Sequence, residues 1–199
     1  MESAKMGDVA DASVVRARKG FTEDMLVKGQ YYAECFGPDG TFKWNDTVEN
    51  IVTTVGKNLV LDTVLNGSAY TVNGPFMGLI SSLSYSSYST ADTMAAHPSW
   101  LEAGASPNYP IYAARLTASG KWPASSAGAV SFSTGSTCDF TISSTGGTVK
   151  GCFMVMGTNA VATIANTSGV LYSVGLFTGG DKILGVGDVI KVSYTSTLT

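Results

Sequence analysis

A single histidine limits acid–base chemistry in this chain of 199 residues. A Ser–His–Asp triad would have to use His97. That residue stands in Ala95-Ala96-His97-Pro98-Ser99-Trp100, and no Gly-x-Ser-x-Gly elbow occurs to present a nucleophile. The expectation is a loop histidine bonded to backbone or packed on Trp100. Glycoside chemistry needs two carboxylates facing each other across a cleft. Asp39, Asp139, Asp181 and Asp188 instead fall at turns or on outward faces of strands, where Asp commonly shapes the turn. Asp181 and Asp188 offer two oxygen donors for calcium, but two acids around one strand-turn are a thin ligand set. Cys35, Cys138 and Cys152 cannot all pair with one another and lack metal-ligand spacing. They are expected to be reduced, small and mostly buried. A Cys138–Cys152 disulfide across neighbouring strands is the minor alternative. Thr145-Gly146-Gly147-Thr148 lacks the Lys and the following helix of a phosphate loop, and reads as a hairpin turn. The residue types thus point away from catalysis, and no enzyme activity, cofactor or metal is expected.

The elements that must position these residues are mostly strands. Hydrophobic residues make up 44% of the chain and charged residues only 14%, while Gly, Ser and Thr are abundant. Such a surface suits strands and tight turns. Net charge is -3, so no basic field attracts a nucleic acid backbone. The longest apolar runs, such as residues 152–156, are far too short to cross a bilayer. The N-terminus, Met-Glu-Ser-Ala-Lys-Met-Gly-Asp, lacks an apolar signal stretch, so synthesis in a cytoplasm is expected.

Charge is unevenly spread. Of 12 basic and 15 acidic side chains, ten fall in residues 1–28: Glu2, Lys5, Asp8, Asp11, Arg16, Arg18, Lys19, Glu23, Asp24 and Lys28. Large apolar residues there are few and show no period. The expectation is an extended arm over 1–28, with Arg16, Arg18 and Lys19 as contacts to a partner, and a body over 29–199.

The body opens with a predicted hairpin, in which residues 31–36 and 41–44 flank Gly37-Pro38-Asp39-Gly40. A helix is predicted next. Asn45, Asp46 and Thr47 offer a cap, and Val48, Ile51, Val52, Val55, Leu59, Val60, Val64 and Leu65 recur at roughly helical spacing. Gly56 and the pair Thr53-Thr54 argue for a break that would confine the helix to residues 56–65. Strands are then predicted over 70–80, with a bend at Gly74-Pro75, and over 111–118. In the second half, Val130/Phe132, Cys138/Phe140/Ile142, residues 148–156, Val170/Tyr172/Val174/Leu176 and Ile190/Val192/Tyr194 mark further strands. Residues 148–156 are apolar on both faces for most of their length, as a central strand would be. The fold class is all-β: a jelly-roll-like β-sandwich with one short helix and an extended N-terminal arm.

Residues 81–110 form a long Ser- and Tyr-rich connection, and loops of that length are commonly contact elements. Tyr85, Tyr88, Met94 and Trp100 are its candidate partner-binding residues, because aromatic and Met side chains anchor interfaces. A sugar-stacking platform of Tyr85, Tyr88, Trp100 and Tyr109 is the less favoured alternative to an interface.

Three stretches carry a resemblance. They are Glu49-Asn50-Ile51-Val52-Thr53-Thr54-Val55-Gly56-Lys57-Asn58-Leu59-Val60-Leu61-Asp62, then Gly74-Pro75-Phe76-Met77-Gly78-Leu79-Ile80, and finally Leu176-Phe177-Thr178-Gly179-Gly180-Asp181 with Gly187-Asp188-Val189-Ile190-Lys191-Val192-Ser193-Tyr194-Thr195. Together they resemble virion structural proteins of tailed bacteriophages, of the capsid cement or decoration type. The resemblance covers roughly residues 25–199 and carries no functional residue with it. It implies a protein on the capsid surface that clamps the joints between copies of the major capsid protein, partnered also by copies of itself as a dimer or trimer. A tail, neck or fibre component is the alternative, and a carbohydrate-binding module a more distant one.

Overall fold

A computed structural model describes residues 27–66 and 73–198. The arm's candidate contacts Arg16, Arg18 and Lys19 lie outside the described residues.

The described residues form ten strands and one helix. In chain order they are β1 (Val27–Phe36), β2 (Phe42–Val52), α1 (Thr54–Val64), β3 (Phe76–Ser81), β4 (Leu116–Thr117), β5 (Ala129–Ser131), β6 (Cys138–Thr141), β7 (Gly147–Met156), β8 (Val170–Phe177), β9 (Lys182–Leu184) and β10 (Val189–Leu198). All pairings between these strands are antiparallel, and the strand order is β4-β3-β7-β8-β2-β1-β10-β5. β6 pairs with the first half of β10, and β9 with the start of β7. The sheet curls into a half-barrel, far enough that Cys138 Sγ of β6 lies 3.5 Å from the Thr117 carbonyl of β4. The fold is all-β and sandwich-like, as the alternation predicts.

The predicted hairpin is β1–β2, with Tyr31 opposite Val48 and Cys35 opposite Trp44. Asp39 builds its turn by accepting from Thr41 N–H at 3.0 Å and Thr41 Oγ1 at 2.6 Å. The helix starts later than its apolar spacing implies. Val48 to Val52 belong to β2, where Val48 and Val52 face inward with period two. The cap is Thr53, whose Oγ1 accepts from Gly56 N–H at 3.0 Å and donates to the Leu171 carbonyl. Asn45, Asp46 and Thr47 do not cap it: Asp46 accepts from Gly179 N–H at 2.9 Å and Thr178 Oγ1 at 2.7 Å instead. Gly56 is needed for packing rather than for a break. A Cβ there would stand 2.5 Å from the Tyr172 carbonyl, so only glycine lets α1 lie against β8.

The strand predicted over 111–118 shrinks to Leu116–Thr117. The residues before it make other bonds: Tyr112 Oη accepts from Leu79 N–H at 3.1 Å, and Arg115 turns into the interior.

Two cores result. One fills the concave side of the sheet, with Tyr31, Val48, Leu79, Phe140, Met154 and Ile190 among its members. The other lies on the opposite face of β3, β7 and β8, where Ile80, Phe153, Val155, Leu171 and Val174 meet Met94 and Trp100 of the long connection. β7 is therefore buried on both sides, as its apolar run requires.

Candidate interaction surface

The groups that could do chemistry are engaged in holding the fold. His97 stacks on Trp100 with ring centroids 3.9 Å apart, and its Nδ1 lies 3.0 Å from the Trp100 carbonyl, matching the loop role expected of it. Glu102 is buried and meets Arg115 through two bonds, Nε to Oε1 at 2.8 Å and Nη2 to Oε2 at 2.7 Å. Ala165 N–H adds a third bond to Oε2 at 2.7 Å, and Arg115 also donates to the Val161 and Asn166 carbonyls. This cluster ties two other segments, around Arg115 and over residues 161–166, to the carboxylate of the long connection. Asp188 is buried against Lys43 Nζ at 2.6 Å and accepts from Gly185 N–H at 2.7 Å. Asp181 pairs with Lys150 and Asp139 with Lys191, at 2.7 and 3.0 Å. Among the described residues, no group of three or more His, Cys, Asp or Glu side chains is placed to hold a metal ion. Nor is any described helix long and apolar enough to cross a membrane.

The three cysteines are free and buried. Burial pushes the Cys35 thiol up to about 11 and the Cys138 thiol up to about 12, and raises Cys152 as well. Such thiols stay protonated and weakly nucleophilic at neutral pH.

The long connection corrects an expectation. Met94 and Trp100 are not exposed anchors: they are 1% and 0% accessible and form the second core. The Trp100 indole N–H donates to Asp92 Oδ2 at 2.9 Å, and its ring packs on Phe153 at 5.3 Å and on His97. The physical reason is the two-faced β7. Its outer apolar residues need a cover, and the connection supplies one. Tyr85 and Tyr88 are half-buried against the same core, with Lys150 Nζ 5.1 Å from the Tyr85 ring centre. With Trp100 enclosed, the sugar-stacking platform loses its central ring.

Exposed apolar side chains occur in several places, Phe42, Ile183 and Val186 among them; one patch lies at the end of the half-barrel where β1 begins and β7 and β10 end. There an open groove of about 350 Å³ is lined by Val60, Trp122, Val130, Met154, Met156 and Tyr172. Beside it runs the outer edge of α1, where Leu61, Val64 and Leu65 are 39%, 71% and 76% exposed. The inner side of the same helix buries Gly56 and Leu59. A helix apolar on both sides is one that expects a neighbour on both sides. The sequence carried this signal, because residues 55–65 hold more apolar positions than one helix face accommodates.

Comparison with known proteins gives no match: no family model, curated protein or solved structure matches the chain.

Proposed function

We propose that this chain is a structural protein that attaches to a larger protein assembly, and that the assembly is a tailed-phage virion, with capsid decoration as the first reading. One observation carries the attachment: the Leu61, Val64 and Leu65 edge of α1 is apolar, exposed and fixed to a rigid sheet. Burying such an edge on a partner contributes about 25 cal/mol per Å² of apolar area. The charge-poor body supports the reading, because a surface covered by Ser, Thr and Gly loses little on close contact, whereas buried unpaired charge is costly. The engagement of His97, Glu102, Asp188 and the cysteines in the fold supports a non-catalytic role. The virion as the assembly rests on the resemblance of the three sequence stretches, and the major capsid protein is the partner it implies. Self-association as a dimer or trimer belongs to the same proposal.

The test is attachment to empty phage heads. Leu61→Ser with Leu65→Ser should leave the melting temperature nearly unchanged while reducing the bound fraction at least tenfold. Full binding by that variant removes α1 from the contact. Copy number on stained gels then separates the locations: hundreds of copies per particle fit a head lattice, and a few copies in multiples of three or six fit a tail or neck.

A further inference from the structure

The groove beside α1 is a separate surface, and its position in the chain points to an occupant. It opens at the end of the half-barrel where Val27 begins β1. Val27 is half-buried and packs on the concave core together with Val60, Trp122 and Met156, three residues that also line or rim the groove. Val27 sits opposite Leu198, and Leu198 N–H bonds the Gly128 carbonyl at 2.7 Å, two residues from Val130. Twenty-six residues precede Val27, and those nearest to it are Gly20-Phe21-Thr22-Glu23-Asp24-Met25-Leu26. In sequence, three large apolar residues, Phe21, Met25 and Leu26, closely precede Val27.

We propose that residues 21–26 seat on this groove in the same chain, with Phe21 and Met25 covering Trp122, Val130 and Met156.

Reach permits it, since six residues extend up to about 20 Å at roughly 3.3 Å per residue. Side-chain direction favours it too. Val27, Gly29 and Tyr31 are the inward members of β1's alternation, so continuing the strand by two residues puts Met25 on the inward side. The groove is almost wholly apolar, and an apolar cover is what an exposed face of Trp, Met and Val requires. Glu23 and Asp24, the charged residues of the segment, would stay in water at its rim. A segment tethered at Val27 also competes at high effective concentration, which favours the same chain over a second copy. The proposal goes beyond the attachment reading and does not rest on it, because it concerns the isolated protein.

The experiment is disulfide trapping in the full chain carrying Met25→Cys and Val130→Cys. The native thiols at 35, 138 and 152 are buried and do not compete. On mild oxidation at low protein concentration, the expected product is a monomer whose 25–130 link appears in peptide mass spectra. A link between two chains would make a second copy the occupant and overturn the proposal. Two freely alkylated thiols with no link would overturn it as well. A second measurement needs no cysteine. In the unaltered chain, peroxide should oxidise Met156 at least fivefold more slowly than in Phe21→Ser/Met25→Ser/Leu26→Ser. Equal rates in two folded proteins would refute the cover even if the cysteine variant failed to fold.

Discussion

Arg115 and Glu102 meet through two parallel hydrogen bonds of 2.8 and 2.7 Å inside the protein, with side-chain exposures of 0% and 3%. The pair joins the long connection to the strands and to the segment around residue 165. A buried pair of this kind destabilises strongly when one partner is removed, because the other charge is left without compensation. Arg115→Met should therefore lower stability by about 3–5 kcal/mol. Adding Glu102→Leu to it should recover part of that loss, which a denaturant titration of both variants checks. A double variant less stable than the single one would mean that Ala165 N–H and the lost shape matter more than the stranded charge.

Trp100 is the largest side chain of the second core. Trp100→Ala should cost about 3–5 kcal/mol, as truncation of a buried aromatic commonly does. Its effect on particle attachment should follow from that instability alone. A variant that keeps its melting temperature yet fails to attach would restore Trp100 as a contact residue.

Gly56→Ala reverses a familiar rule. In an exposed helix interior, Ala is better than Gly by roughly 1 kcal/mol. Here the added Cβ meets the Tyr172 carbonyl at 2.5 Å, so α1 must move off β8. The expected outcome is destabilisation by about 1–3 kcal/mol. Stabilisation would show that the helix has room to shift.

Acid should weaken the end of the β2–β8 ladder. Burial alone would raise the Asp46 carboxyl, but bonds from Lys182, Thr178 and Gly179 outweigh it and hold the group below the usual carboxylate range. A depressed folded value adds stability that is fully present above the unfolded value of about 3.9 and is lost as pH falls through the folded one. The wild type should therefore lose stability below about pH 4 more steeply than Asp46→Asn. Parallel curves for the two proteins would remove Asp46 from the acid response.

Much of the fold was legible because period-two alternation reports a sheet with one buried face, as in Cys138/Phe140 and Ile190/Val192/Tyr194. The Gly-Pro-Asp-Gly turn was legible because its chemistry is local. The start of α1 was legible from Thr53-Thr54 and Gly56 to within two residues, but its cap was not. Val48 and Val52 are four apart, which fits either a helix or alternate inward positions of a strand, and Thr53 resolves it only through its bond to the distant Leu171 carbonyl. The site was misread for a related reason. An aromatic residue on a long loop looks the same in sequence whether it faces a partner or covers the chain's own sheet. The two-faced apolar run of β7 was the clue that a cover had to come from elsewhere in the chain. The partners of Arg115 lie 13 to 51 residues away in sequence, and no local pattern announces them.

Chain length offers the last prediction, because the two roles proposed for the N-terminal residues divide at Gly20. Arg16, Arg18 and Lys19 are expected to contact a partner, and residues 21–26 are proposed to cover the groove. A chain beginning at Gly20 keeps the apolar cover and loses the basic cluster. It should retain the full chain's melting temperature and its Met156 protection while binding particles more weakly. The deficit should shrink as salt rises, since the charged part of the full chain's advantage is screened within about 10 Å at 0.1 M. A chain beginning at Val27 keeps all of β1, including Val27 opposite Leu198, yet uncovers the groove. It should fold, bind a hydrophobic dye at that end and show rapid oxidation of Met156. If the chain from Gly20 binds particles as tightly as the full chain, the basic cluster has no part in attachment and the exposed edge of α1 carries it alone.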